Sequence, residues 1–360
     1  MSKGKILMAM SGGIDSTVSA MLLREQGYDL VGVTFRTFDS IRESCLAKEK
    51  GCCSIDSIME AKRMAEQLGF EHHILDFRDT FKQCVIGNFV DEYMRGRTPN
   101  PCVLCNSSIK WGKLLDMADT FGCDKIATGH YAQIVEDDGH VYLATAVDVK
   151  KDQTYFLWML TEANLARTVF PLGGYTKQQV RDMAAARGFV KLSQKTESQE
   201  ICFVPNNDYR DFLAQQVPNF DETCKSGDFI DKNGQVIGTH EGFPNYTIGQ
   251  RKGLKVAFGT PKYVTRIDAA TNRVTLGDRD DLLTTTLEAG GCRFTDSKKL
   301  SMNPRVLARI RYKSPATAAT IAIDGDRCRL LFDEPVWGVT PGQSLVLYQD
   351  GKVVGGGFID

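Results

Sequence analysis

Three stretches of the chain carry residue types that could do nucleotide or covalent chemistry. The first is Ser11-Gly12-Gly13-Ile14-Asp15-Ser16, which follows the apolar run 6–10 and precedes residues 17–25, spaced as an amphipathic helix. A glycine-rich turn from a buried strand into a helix gathers free backbone N–H groups at the positive helix end, which is a phosphate site. No Gly-Lys-Ser/Thr follows it, so it is not a Walker loop, and it lacks the Gly-x-Gly-x-x-Gly of dinucleotide folds. A bare tight turn accounts for the glycines but not for Ser11, Asp15 and Ser16 together.

The second stretch is Cys102-Val103-Leu104-Cys105. Pro99 and Pro101 flank Asn100 and predict a rigid non-helical loop, with Asn106 or Ser107 capping the helix that follows. Cys105 would then lie near a helix N-terminus, where thiolate is favoured. Alone, Cys-x-x-Cys is half a zinc site, a redox pair or two ordinary thiols. No second Cys-x-x-Cys completes a zinc site, and the distance from the first βα unit excludes a thioredoxin-like motif. The third stretch is Cys202, expected in a short apolar strand, where a lone cysteine reads as packing. Cys45, Cys52 and Cys53 fall in a weakly periodic segment and read as structural.

These residues need a frame. Up to about residue 205 the pattern alternates strand and helix: strands at 30–36, 71–75 and 124–129, helices at 57–68, 77–94 and 176–187, and a hairpin about Asp137-Asp138-Gly139. A further helix is expected to begin at 151–157. This is a parallel α/β sheet with helices on both faces. Ser11, Phe35 and Gly129 all fall at the carboxyl ends of strands, where such sheets bind ligands. Beyond 205 come one helix at 208–216, a hairpin at 231–234 and a basic, glycine-bounded loop at 245–253. Short β runs at 306–312, 318–323, 327–332, 344–348 and 353–359 then predict a small antiparallel barrel. The expected domains are 1–205, catalytic α/β; 206–275, a central β-containing domain; and 276–360, the barrel.

Composition narrows the class. With 42% hydrophobic and 25% charged residues the 360-residue chain reads as globular. No apolar run approaches the roughly 20 residues of a membrane helix, and no signal peptide precedes the first strand, so a cytoplasmic protein is expected. Eleven cysteines without a disulfide-framework spacing fit that expectation. A net charge of −1 gives no global field for nucleic acid, but a local basic surface is enough.

Ser11–Ser16 resembles the PP-loop signature of ATP pyrophosphatases, which cut ATP between its α and β phosphates while a substrate oxygen is adenylated. Further motifs narrow the resemblance. They are 96–106, Ala127-Thr128-Gly129-His130-Tyr131, Lys151-Asp152-Gln153, Ile201-Cys202-Phe203, Gly249-Gln250-Arg251-Lys252-Gly253 and Thr340-Pro341-Gly342-Gln343. Taken in order and nearly end to end, they are similar to the tRNA-specific 2-thiouridylases. That resemblance implies sulfur transfer to C2 of uridine 34 in tRNAs for lysine, glutamate and glutamine. It implies Cys202 as persulfide carrier and Cys105 as partner nucleophile. ATP would be held by Ala9, Met10, Ser11, Gly12, Gly13, Ile14, Asp15, Ser16, Phe35 and Gly129, with Mg²⁺ on its phosphates. Asn100, Pro101 and Cys102 would face the target base. Lys151, Asp152, Gln153, His130, Arg311, Tyr312 and Gln343 would touch tRNA. A cysteine desulfurase or sulfur-relay protein is the implied donor, and the chain is expected to be a monomer. Some relatives carry aspartate where Cys102 stands, in an acid/base role that a thiol fills only at a low pKa. Cys102, Cys105 and Cys202 are also three thiols that could hold a [4Fe–4S] cluster. A non-catalytic RNA-binding or sulfur-relay protein is the alternative of another class.

Overall fold

The computed structural model describes residues 2–38, 55–194, 201–204, 208–256 and 259–360, less the side chains of Asp221 and Thr223. Cys45, Cys52, Cys53 and the polar segment before Cys202 lie outside the described residues. The chain divides into two compact units: residues 1–85, 102–207 and 350–353, and residues 86–101, 208–349 and 354–360.

In the first unit, β1 (Lys5–Ala9) has Leu7 and Met8 fully buried, as a strand covered on both faces requires. With β2 (Asp29–Arg36), β3 (His72–Asp76) and β4 (Lys125–Ala127) it forms most of one sheet; β5 (Gln133–Asp137) and β6 (His140–Ala144) make a separate hairpin, and β7 (Thr168–Val169) closes the sheet edge. The order is β3-β2-β1-β4-β7, with every neighbouring pair parallel. The chain winds outward in one direction through β2 and β3 and in the other through β4 and β7. A crevice therefore opens beyond the carboxyl ends of β1 and β4. Helix α1 (Ile14–Glu25) buries Val18, Met21 and Leu22 in a core that also holds Val180 and Ala184 of the helix Lys177–Ala186. A reciprocal capping box between Thr176 and Gln179 starts that second helix. Helix α2 (Ile55–Gln67) begins beside the glycine-rich loop.

Three local expectations fail here. The backbone is helical from Pro101 to Thr120, as α-helix at Pro101–Leu104, π-helix at Cys105–Lys113 and α-helix again at Leu114–Thr120. Proline at a first helical position gives up an N–H that would be unbonded anyway, so Pro101 starts the helix where it was read as forbidding one. Cys102 thus occupies the first turn and Cys105 the next. Only Thr154–Phe156 is helical, as one 3₁₀ turn, in the segment expected to begin a helix at 151. Cys202 lies in a turn, not a strand, and is exposed. Its neighbour Phe203 is buried edge-on against Phe81 at 5.5 Å, so the apolar signal came from residues that flank the thiol.

In the second unit, Asp208 caps the helix Tyr209–Gln216. Strands β8 (Gly227–Ile230), β9 (Val236–His240), β10 (Tyr263–Asp268) and β11 (Arg273–Gly277) form a sheet of order β10-β11-β8-β9 over Phe229, Tyr246, Val264 and Val274. Six further strands follow: β12 (Leu283–Phe294), β13 (Arg305–Arg309), β14 (Thr317–Asp324), β15 (Arg327–Trp337), β16 (Ser344–Gln349) and β17 (Lys352–Ile359). Antiparallel pairing of β12 with both β15 and β17 closes them into a barrel.

Candidate active site

The glycine-rich loop joins β1 to α1. Gly12 has φ +67°, and a Cβ there would collide with the Ser57 carbonyl at the start of α2. Gly13 is the N-cap residue with no side-chain cap. Ser16 Oγ donates to Gly13 O at 3.1 Å and accepts from Ser11 N–H at 3.2 Å, while Thr17 Oγ1 donates to Gly13 O at 3.0 Å. The hydroxyls therefore brace the turn, and the helix N-terminus keeps its open donors. A Cβ at Gly129 would stand 2.8 Å from Ser16 N, so the end of β4 lies directly against the loop. Gly129 thus lies against the Asp15–Ser16 end of the loop. Phe35 is half-buried at the end of β2, its ring 5.6 Å from that of Phe77.

Asp15 is the loop's carboxylate. The Lys177 ammonium donates to its two oxygens at 2.7 and 2.9 Å, and Tyr131 Oη donates to Oδ1 at 2.9 Å. Lys177 is buried and also lies 5.7 Å from the centre of the Tyr131 ring. Sequence reasoning missed Lys177. It stands 162 residues from Asp15, and no local pattern joins them.

Met10 carries the strand end into the loop and is tied to a polar pair, buried Thr34 and half-buried His72. Thr34 Oγ1 donates to Met10 O at 2.9 Å and stands 2.8 Å from His72 Nε2. Burial, then the neighbouring His73 and Lys62 charges, pushes the His72 imidazole down to about 4. In the folded protein His72 stays neutral, whereas in the unfolded chain it binds a proton below about 6.5. Its contribution is thus complete above pH 6.5 and lost as pH falls from there towards 4. Urea unfolding at pH 7.5 and 4.5 is expected to show the wild type losing on the order of 2 kcal/mol more than His72→Gln, after allowance for solvent screening. Equal losses would contradict it.

Following β4, His130 is half-buried. The Lys110 ammonium can only donate, so Nε2 accepts from it at 3.4 Å and Nδ1–H donates to Thr128 Oγ1 at 2.8 Å. Burial, then the Lys110 charge, holds the imidazole well below its ordinary range, and His130 is neutral at pH 7. Lys110 comes from the helical run that carries Cys102 and Cys105. Cys102 keeps accessible surface, yet the protein crowded around its sulfur and the charge of Cys105 push the thiol up to about 11, with Lys110 opposing. At that value Cys102 is a neutral thiol at pH 7, which corrects any reading of it as a base. Cys105 is partly exposed and Cys202 exposed.

Among the described residues no three His, Cys, Asp or Glu side chains gather into a set that could hold a metal ion.

Of the residues the family resemblance assigned to tRNA, several have internal partners. Asp152 is buried, its carboxylate accepting from Ala146 N–H at 3.1 Å and Thr154 Oγ1 at 2.7 Å. That burial departs from an RNA contact: Asp152 shapes the turn. Gln153 accepts from Tyr131 N–H at 2.9 Å through its side chain and donates to Tyr131 O through its backbone. Lys151 is half-buried. In the second unit, Gln343 Nε2 donates to the carbonyls of Thr98 and Pro99 at 3.0 and 2.9 Å, which fixes the approach to Asn100. Asn100 is itself buried, 3.5 Å from Ser344 Oγ. Arg311 donates to Ile248 O at 3.1 Å and to Thr340 Oγ1, with its guanidinium 5.6 Å from the Trp337 ring centre. Tyr312 beside it is half-buried.

A parallel sheet with a phosphate-type loop at its switch point, followed by a closed β-barrel, defines a HUP-type nucleotide-binding protein with appended β domains. Family models match along the chain: a tRNA methyl transferase HUP domain at residues 4–206, a tRNA methyl transferase PRC-barrel domain at 210–278 and an aminomethyltransferase β-barrel domain at 284–359. The tRNA-specific 2-thiouridylase MnmA of Amoebophilus asiaticus is 47% identical over 364 residues, spanning 100% of this chain and 96% of that protein. Those of Cytophaga hutchinsonii and Salinibacter ruber are each 46% identical, over 99% of this chain and 97% and 94% of theirs. The chain belongs to the tRNA-specific 2-thiouridylase MnmA family.

Proposed function

We propose that the protein makes 2-thiouridine at position 34 of tRNAs for lysine, glutamate and glutamine, using ATP to activate the C2 oxygen. The observation that carries this reading is the Ser11–Ser16 loop packed against Gly129 at the β1/β4 crevice, with His130 and the Cys102–Cys105 helix adjoining it in the same unit. The loop N–H groups and the α1 N-terminus would take the pyrophosphate end of ATP. Mg²⁺ would arrive on those phosphates and neutralise their charge, with Asp15 as the loop's own carboxylate. Phe35 suits packing on the base.

The uridine O2 attacks the α-phosphorus and pyrophosphate leaves. The terminal sulfur of a Cys202 persulfide adds to C2, and the C2–O bond breaks to release AMP. The Cys105 thiolate then attacks the Cys202 sulfur, so the sulfur–sulfur bond to the base breaks and a Cys105–Cys202 disulfide forms for an external thiol to reduce. A cysteine desulfurase or relay protein would reload the persulfide. Lys151, Gln153, His130, Arg311, Tyr312 and Gln343 serve tRNA binding directly or by holding the backbone that does. Monomeric action in the cytoplasm completes the reading. Among the described residues no helix is long and apolar enough to cross a membrane. The methyl transfer in the family description calls for neither a pyrophosphate loop nor two reacting thiols, so sulfur transfer is preferred.

The test incubates the protein with unmodified tRNA, ATP and a stoichiometric persulfide donor. Equal amounts of AMP, pyrophosphate and 2-thiouridine are expected. No tRNA-dependent AMP would overturn the reading and leave an RNA-binding or relay protein in its place.

A further inference from the structure

Lys110 is partly buried, and its charge bears on both His130 and Cys102, yet its hydrogen-bond partner is an imidazole that stays neutral. Among the described residues no carboxylate pairs with it, although Lys113, three positions on, does lie 3.8 Å from Asp116. A partly buried ammonium without a counter-charge is placed to pair with an anion that comes to it. Its position indicates which anion. Gly129 touches the nucleotide loop, His130 is the next residue, and Lys110 holds His130 from the helix that bears Cys102 and Cys105. The charge therefore lies on the path from the phosphate loop to the thiols. A C2–O–phosphorus linkage under attack by sulfur has to span that path.

We propose that Lys110 is a catalytic residue which contacts the adenylyl phosphate of the activated uridine and stabilises the negative charge gained as AMP leaves. This rests on the function proposed above. In the step, sulfur bonds to C2, the C2–O bond breaks, and its electron pair passes to the oxygen of AMP, whose phosphate faces the ammonium. His130 positions Lys110: with Nδ1–H committed to Thr128, Nε2 offers a lone pair that fixes Nζ without neutralising it. Other charges on elements packed against this helix are Arg78 and Asp79 of the helix Arg78–Phe81 and Lys113 and Asp116 of its own continuation. Arg78 is already paired with Asp76 at 2.6 Å.

Single-turnover reactions of the full chain with unmodified tRNA, ATP and a stoichiometric persulfide donor test this, comparing Lys110→Met and Lys110→Arg with wild type. Lys110→Met is expected to keep the tRNA-dependent pyrophosphate burst and an ATP dissociation constant within about 3-fold. AMP release and 2-thiouridine formation should fall together by about 100-fold, as for loss of one transition-state donor. Lys110→Arg should recover to within about 10-fold of wild type. A burst that falls with ATP affinity would assign Lys110 to nucleotide binding and overturn the proposal, as would equal rates for the Met and Arg variants. If the wild type itself gives no tRNA-dependent burst, the function proposed above falls and takes this inference with it. A working wild type with an unaffected Lys110→Met sinks this inference alone.

Discussion

Replacing Cys202 or Cys105 with serine is expected to reduce 2-thiouridine formation by about 10³-fold or more, because an alcohol neither carries a persulfide nor displaces one. The two losses should differ in kind. Cys202→Ser should fail to acquire sulfur, read as the absent +32 Da adduct after incubation with a donor. Cys105→Ser should acquire it and stall. Both should still release pyrophosphate when ATP and tRNA are added, since adenylation needs neither thiol. Cys102→Ser should retain activity within about 10-fold, because the thiol it removes is neutral at pH 7. If Cys102→Ser is as inactive as the other two, the division of labour among the three cysteines is wrong.

Gly12→Ala should be the most damaging small substitution in the loop. The positive φ alone would cost about 1 kcal/mol in an open turn, but here the new methyl also drives into the Ser57 carbonyl. A loss of about 2–4 kcal/mol in urea unfolding is expected, together with a fall of about 100-fold in tRNA-dependent pyrophosphate release. Gly139→Ala is the control: Gly139 has φ +79° in the β5–β6 turn with open space around its Cβ position. It should cost about 1 kcal/mol and leave turnover intact. Similar outcomes for the two would show that the loop tolerates displacement of α2.

The β1–loop–α1 unit was legible in the sequence because its signal is local: a buried run, two glycines and a helical period within twenty-five residues. The alternation that gave the parallel sheet and the short runs that gave the barrel were legible for the same reason. Where reading failed, the deciding partner was remote or the local signal ambiguous. Pro101 was weighed as a helix breaker when its place at a first turn makes it a starter. Cys202 borrowed its strand character from Phe203, whose anchor is Phe81. Strand β12 went unread: Leu283 is followed by three threonines and Gly290-Gly291 interrupts the run, so the pairing that makes it a strand comes from the remote β15 and β17. Asp152 was given to tRNA by the resemblance, and its burial could not be foreseen because it depends on the turn made by Ala146 and Thr154. Of the site, the loop and the cysteine positions could be read. The Lys177–Asp15 and Lys110–His130 partnerships could not, because each joins elements that only the fold brings together.

The division of the chain has a bearing on its synthesis. Residues 350–353 belong to the first unit, where Thr145 N–H bonds Gly351 O at 2.9 Å and Lys352 reaches Asp137 at 2.6 Å. Residues 354–360 belong to the second, and residues 86–101 also leave the first unit for it. The nascent chain therefore cannot finish one unit and then the other. Both stay incomplete until residues 350–360 have been made, so a stop codon introduced after residue 206 or 349 should yield an aggregation-prone fragment rather than a free-standing nucleotide-binding domain.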